Sequence, residues 1–214
     1  MFSSVFVKII LCYTILGDNM KEIIIASKNQ GKIREYKQLL EPFGYQVSSL
    51  IDYPDFPEIP ETGTTFAENA MIKAKAVAMR FSVDCLADDS GLEVMALNGN
   101  PGVHSQRYSI TGTEADNNQK LLHDLVGHSK RIAQYVCSIV YYNVNTGFTS
   151  FEDTVSGIII DTPRGHNGFG YDPYFYLPEF GVTMAEVNPD FKNKISHRGK
   201  ALNQLLHWLA RENR

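Results

Sequence analysis

A chain of 214 residues, 43% of them hydrophobic, can bury about 70% of its unfolded surface in one large domain or two lobes sharing a core, so it needs no metal or disulfide scaffold. The three cysteines, Cys12, Cys85 and Cys137, are odd in number and widely spaced, which argues against a disulfide framework or a zinc site and favours a reducing compartment. A formal net charge of −4 argues against a general nucleic-acid binder, which presents a basic face.

Residues 1–19 include VFVKIILCYTIL, which resembles a short signal-peptide core but has Lys8 inside it and no small-residue cleavage site. The run is also short for a membrane span. MKEIII, beginning at Met20, reads as a natural chain start entering a strand, so residues 1–19 are expected to be a non-essential extension and residues 20–214 a single unit. No repeat, low-complexity tract or linker divides that unit.

A first strand is expected over 22–26 and a helix over 32–43, where Ile33, Tyr36, Leu39, Leu40 and Phe43 share a face and Gly44 stands at the C-terminal cap. Between them lies SKNQGK: Ser27, Lys28, Asn29, Gln30, Gly31 and Lys32. Free N–H groups at a helix start attract anions, and Lys32 adds a full charge, so the turn suits a phosphate. A polar turn without a ligand would have the same composition. It is not a Walker loop, because Ala26 replaces the first glycine and Ile33 the Ser or Thr.

Residues 52–68 hold five acids and no base, in the Pro-rich stretch DYPDFPEIP and beyond it. Thr65 and Glu68 form a capping box opening a helix over 65–81. Phe66, Asn69, Ala70, Lys73 and Val77 share one face of it. A lysine among apolar residues either snorkels to the surface along its stem or meets a charged partner.

Strands are expected over 83–87 and 92–97, on either side of Asp88, Asp89, Ser90 and Gly91. Adjacent aspartates beyond a strand's carboxyl end can hold a hard cation or orient water, although an Asp-rich turn would look alike. A helix over 116–126 and strands over 132–142 and 154–160 follow, the first of these strands apolar enough to be buried on both faces. The glycines of GHNGFGYDP permit close backbone approach to a ligand, and Phe169 between them can stack on a planar base. Its spacing is not that of a dinucleotide fingerprint. The last helix, over 197–210, is preceded or opened by Lys192, His197 and Arg198, cations set against the helix dipole that an anionic or carbonyl-bearing ligand would relieve. Residues 192–214 hold six Lys or Arg and one acid, the opposite of residues 52–68. Cations, carboxylates, an aromatic plate and backbone donors together suit a nucleoside triphosphate with a metal ion.

In order and spacing, SKNQGKIRE, ETGTTFAENAMIKA, ADDSGL, PGVHSQRYS, GFGYDPYF and ISHRGKAL resemble the inosine triphosphate pyrophosphatase family over about residues 20–210. The resemblance implies an α/β fold with a mixed central sheet flanked by helices, two lobes with an active-site cleft between them, and a cytoplasmic homodimer. It implies Mg²⁺-dependent hydrolysis of ITP, dITP or XTP to the monophosphate and pyrophosphate, with neither nucleic acid nor membrane as partner. By motif, Asp89 would be the catalytic, metal-binding acid, supported by Asp88 and by Glu61 as second metal ligand, with Lys73 also catalytic. Ser27 to Lys32 and Ser90 would surround the phosphates; Phe169, Gly170, Tyr171, Asp172, Lys192, His197 and Arg198 would hold base and sugar. SKN stands where the family often has Thr-Gly-Asn, and Gln106 replaces a common alanine. A Maf-like nucleotide pyrophosphatase and a nucleotide- or RNA-binding module are the alternatives.

Overall fold

The computed structural model describes residues 21–212, so the expected extension over 1–19 lies outside the described residues. β1 (Lys21–Ile25) ends in three β-branched isoleucines, buried from Ile23 onward. It leads through a short turn into α1 (Gln30–Leu40), which buries Ile33, Tyr36 and Leu40 on one face. A 3₁₀ turn ends at Gly44, whose φ of 82° suits a residue without Cβ. β2 (Tyr45–Ser49) follows, then a long loop and α2 (Phe66–Phe81), opened by the capping box of Thr65 and Glu68. β3 (Cys85–Val94), α3 (Glu114–Asp124), β4 (Ile132–Asn143) and β5 (Gly147–Ile159) come next. β6 (Phe175–Leu177), β7 (Val182–Thr183), α4 (Pro189–Ile195) and α5 (His197–Glu212) complete the fold.

The strands form one mixed sheet in the order β2-β1-β3-β4-β5-β6-β7. β1 is parallel to β2 and β3, and every later pairing is antiparallel. On one face Tyr36 and Leu40 of α1 and Leu202, Leu205 and Leu209 of α5 pack against Ile23, Ile25, Leu86 and Ile139. On the other, Ala70, Ala74, Val77 and Ala78 of α2 cover Ile24, Ala26, Cys85 and Ala87; alanines every four residues let that helix approach the sheet closely. A separate core of Leu92, Leu121, Leu125, Tyr135, Val155 and Phe175 fills the second lobe. The mixed sheet and two lobes expected from the resemblance are both present.

The sequence reading broke β3 in two at Asp88–Gly91, and this is corrected: the strand runs unbroken, paired with β4 from Cys85↔Tyr142 to Val94↔Ala133. Only its last expected part, Met95–Leu97, leaves the sheet as a 3₁₀ turn. Acids and glycine disfavour a central strand, but here cations on both faces neutralise them. β5 likewise begins earlier than residue 154, at Gly147, because it forms a hairpin with β4. β1 pairs with β3 only at Ile24↔Cys85 and Ile25↔Leu86. Beyond Leu86 the chain of β1 turns away into α1, and the exposed edge of β3 becomes the floor of a cleft between the lobes.

Candidate active site

The cleft opens at the carboxyl end of β1, where ligands gather in open α/β sheets. Ser27 Oγ accepts from Asn29 N at 3.1 Å, and Asn29 caps α1, its Oδ1 accepting from Lys32 N at 3.1 Å. That cap leaves the N–H groups of Gln30 and Gly31 at the open helix end. The turn is thus pre-shaped for an anion. Lys32 itself points inward, buried, to Asp88 Oδ2 at 3.0 Å.

Strand alternation sends the two adjacent aspartates to opposite faces of the sheet. Asp88 lies on the α1/α5 side with Lys32, and accepts from Arg198 Nε at 3.3 Å and Ser90 Oγ at 3.2 Å. Burial pushes its carboxyl up, but Lys32 and Arg198 outweigh burial and hold it well below the usual range. Asp89 lies on the α2 side, where Lys73 Nζ donates to Oδ1 at 3.0 Å and Asn69 Nδ2 to Oδ2 at 3.2 Å. Here burial wins over Lys73 and Lys32, and the carboxyl is raised. The aspartates are therefore not a turn-borne pair beyond a strand end, as the sequence reading had them. They are two separately held acids of unequal basicity inside one strand.

Lys73 does not snorkel. Its side chain is 11% exposed and its ammonium also donates to Glu61 Oε1 at 2.9 Å, bringing Glu61 and Asp89 to one point. Arg107, from the other lobe, reaches Glu61 Oε2 at 2.8 Å. Although burial raises the Glu61 carboxyl, Lys73 and Arg107 lower it further, so it is ionised at neutral pH.

Across the cleft, Phe169 is half-buried, with Lys192 Nζ 4.8 Å and the Arg198 guanidinium carbon 5.7 Å from its ring centre. Gly31 lies against the same ring: a Cβ there would stand 2.8 Å from Phe169 Cδ1. Lys192 pairs with Asp172 Oδ2 at 2.8 Å and Glu35 Oε1 at 3.4 Å. It belongs to the last turn of α4, just before α5, where the dipole of α4 favours a cation. Arg198 pairs with Glu35 and Asp88, and its Nη2 donates to Ser90 Oγ at 2.9 Å. The protein's own acids thus relieve the dipole conflict that the sequence reading assigned to a ligand. His197 is buried flat on Tyr135, ring centres 4.8 Å apart, and among the described residues its Nδ1 has no hydrogen-bond partner. Burial, then Arg198 and Lys192, push its pKa well down, so the ring is neutral at pH 7.

Two recesses share Asn29, Lys32 and Gln106. One, of about 260 Å³, is lined by Ser90, Phe169, Gly170, Tyr171, Asp172, Lys192, His197 and Arg198. The other, of about 630 Å³, is lined by Ser27, Lys28, Glu61, Lys73 and Arg107. Of the residues singled out in the sequence, Gln30, Gly31, Asp88 and Asp89 line neither recess. Gln30 is exposed, Gly31 backs Phe169, and both aspartates sit beneath the cations. Tyr171 lines the smaller recess while its hydroxyl donates to Ser105 O at 2.8 Å. Sequence reasoning missed Glu35, which lies three residues after Lys32 on α1, and the hydrogen bonds by which Asn69 holds both Asp89 and Gly63 N. Their spacing from Lys32 and Lys73 was the available signal.

A sequence profile of the Ham1 family matches residues 23–208. This chain belongs to the Ham1 family. A relative from Geobacillus kaustophilus, a dITP/XTP pyrophosphatase, is 50% identical over 189 residues, 87% of this chain and 93% of its own. Another of that name, from Halalkalibacterium halodurans, is 48% identical over 195 residues, 89% of this chain and 100% of its own. Among solved Ham1 structures, the Staphylococcus aureus protein superposes with a TM-score of 0.81 at 45% identity, and the Coxiella burnetii protein with 0.82 at 43%. Each covers 90% of this chain and all of its own.

Proposed function

We propose that the protein hydrolyses non-standard purine nucleoside triphosphates, ITP, dITP and XTP, to the monophosphate and pyrophosphate, removing them from the nucleotide pool. The observation that carries this is the joined pair of recesses, one lined by Glu61 and Lys73 with Asp89 buried behind that lysine, the other with an aromatic plate beside a neutral His197. The names of its relatives point the same way.

The fit of a divalent cation follows from the charges. Lys32, Lys73, Arg107, Lys192 and Arg198 are each already paired with a carboxylate, drawn from Asp88, Asp89, Glu61, Glu35 and Asp172. A triphosphate therefore brings about four negative charges into a balanced site. Among the described residues no three His, Cys, Asp or Glu gather to hold a metal by themselves. Two carboxylates plus phosphate oxygens and water are the donor set Mg²⁺ takes. In this reading Asp89 and Glu61 hold Mg²⁺, which when bound neutralises charge on the phosphates.

The chain's own groups do the rest. The open N–H groups at α1 and Lys28, which among the described residues has no acid within salt-bridge distance, bind the phosphates. Asp89, its carboxyl made more basic by burial, accepts the proton of a water whose oxygen bonds to the α-phosphorus as the bond to the pyrophosphate breaks. Phe169 stacks on the purine, and His197 with the two remaining N–H groups of Arg198 meets its edge. Adenine places an amine where hypoxanthine and xanthine place a carbonyl, so donors aimed there would face a donor and lose their bonds. The homodimer and a cytoplasmic setting belong to the same reading, the latter supported by the buried free thiols of Cys85 and Cys137. No helix among the described residues is long and apolar enough to cross a membrane.

The test is pyrophosphate release from ITP, XTP, ATP, GTP and dTTP with and without Mg²⁺. Turnover of ITP and XTP far above the others is expected. Preference for dTTP would indicate a Maf-like specificity, and binding without turnover a sensor.

A further inference from the structure

Two adjacent asparagines inside α3, Asn117 and Asn118, are 5% and 8% exposed. Helix interiors disfavour asparagine and buried amides call for hydrogen bonds; both amide nitrogens here are bonded, while Asn118 Oδ1 has no hydrogen-bond partner among the described residues. Asn117 lines the smaller recess itself, beside Gln106 and Gly112. Its Oδ1 accepts from Ser109 N at 2.7 Å and Ser109 Oγ at 2.8 Å. Its Nδ2 donates to Gln106 O at 3.1 Å, with longer approaches to Gly112 O at 3.4 Å and Ser105 O at 3.5 Å. Asn118 reaches the opposite wall: its Nδ2 donates to Glu114 O of its own helix at 2.9 Å and to Gly170 O, next to Phe169, at 3.0 Å. Gln106, Gly112 and Gly170 all line that recess. One turn of one helix therefore ties both walls to a common frame.

We propose that Asn117 and Asn118 are positioning residues that set the separation of the two walls of the base recess, and through it the choice of purine. This rests on the reading of that recess as the base site. Asn117 lines the recess itself and also acts through Gln106 and Gly112, whereas Asn118 stands behind the lining and acts through Gly170 and the ring of Phe169. Recognition by hydrogen-bond geometry tolerates displacements of only about 0.5 Å, and a 1 Å error can cost about a hundredfold. Loosening either tie should therefore degrade discrimination more than turnover.

The test is Asn118→Asp, which keeps the shape but removes the donor to Gly170 O, alongside Asn118→Ser, whose shorter hydroxyl cannot reach Gly170 O and adds no charge, should the first variant fold poorly. Steady-state kinetics with ITP and ATP are paired with calorimetric binding of IMP and AMP, which needs no turnover. Expected for Asn118→Asp are a KM for ITP raised about tenfold with kcat within about twofold, an ITP-to-ATP ratio of kcat/KM lowered about tenfold, and loss of the preference for IMP over AMP. Asn118→Ser should lower the ITP-to-ATP ratio in the same direction. An unchanged ratio and unchanged IMP binding in a variant whose melting temperature has dropped would reduce the asparagines to structural residues and overturn the proposal. If the unaltered protein binds IMP no more tightly than AMP, the base-site reading fails and this proposal with it.

Discussion

Replacing Lys73 by Met removes one ammonium and keeps most of the stem that packs along α2. The ammonium lies 2.9 Å from Glu61 and 3.0 Å from Asp89. At that separation each attraction is about 5 kcal/mol at an effective dielectric of 20, offset by the cost of burying the lysine itself. Truncating one member of a buried ion pair costs about 3–5 kcal/mol. Glu61 is 24% exposed at its side chain and keeps Arg107, so the lower end applies, about 3 kcal/mol. For a domain of this size that lowers Tm by about 6–12 °C. The loss has a pH signature. Asp89 already has a raised carboxyl because burial outweighs Lys73 and Lys32, and without Lys73 it rises further. A carboxyl that titrates higher in the folded state loses stability as pH climbs from its unfolded value through its folded one. Lys73→Met should therefore melt closer to the unaltered protein at pH 5 than at pH 8, and added Mg²⁺ should recover more Tm in the variant than in the parent. Thermal denaturation at the two pH values, with and without Mg²⁺, reads all of this. A variant that melts within about 2 °C of the parent at both pH values and turns over normally would refute the argument that Lys73 is the counter-ion of two site carboxylates.

Asp89→Asn should lower turnover by about 10³-fold or more while circular dichroism stays native, since it removes the proposed base and one metal ligand together; near-normal activity would remove Asp89 from the chemistry. Gly31→Ala puts a Cβ 2.8 Å from Phe169 Cδ1, so the ring must shift, and KM for ITP and ATP should rise together by several-fold with little change in Tm. Equal KM values before and after would show that the plate is not held by the turn. Asp88, held low by Lys32 and Arg198 against burial, contributes stability above its unfolded pKa of about 4 that is lost as pH falls toward its folded value. Asp88→Asn should accordingly be much less stable than the parent at pH 7, with the gap narrowing in denaturant melts as pH falls below about 4; a constant gap would contradict the pairing.

What could be read along the chain was what short spacing encodes. The turn of Asn29 and Lys32, the capping box of Thr65 and Glu68, and the inward face bearing Asn69 and Lys73 are all local patterns, and the structure places each where the pattern implies. β3 was split because Asp88, Asp89 and Gly91 are poor strand formers, and what overrides propensity there comes from Lys32, Arg198 and Lys73 on other elements. Glu35 was missed for the same reason: its meaning lies in a partner 163 residues away. Asn117 and Asn118 read as ordinary polar helix residues until their bonds to Gln106 and Gly170 appear. The segregation of acids over 52–68 from bases over 192–214 only partly mapped onto the site. Glu61 faces the phosphate-side recess and Lys192 and Arg198 the other, yet most of the remaining charges lie on the surface.

The central claim is that water enters at the α-phosphorus of a 6-oxopurine triphosphate. Following ITP, Mg²⁺ and the protein by phosphorus NMR tests it most directly. One IMP and one pyrophosphate for each ITP consumed, with no IDP at any time, is the result the account predicts; IDP and orthophosphate as first products would contradict it.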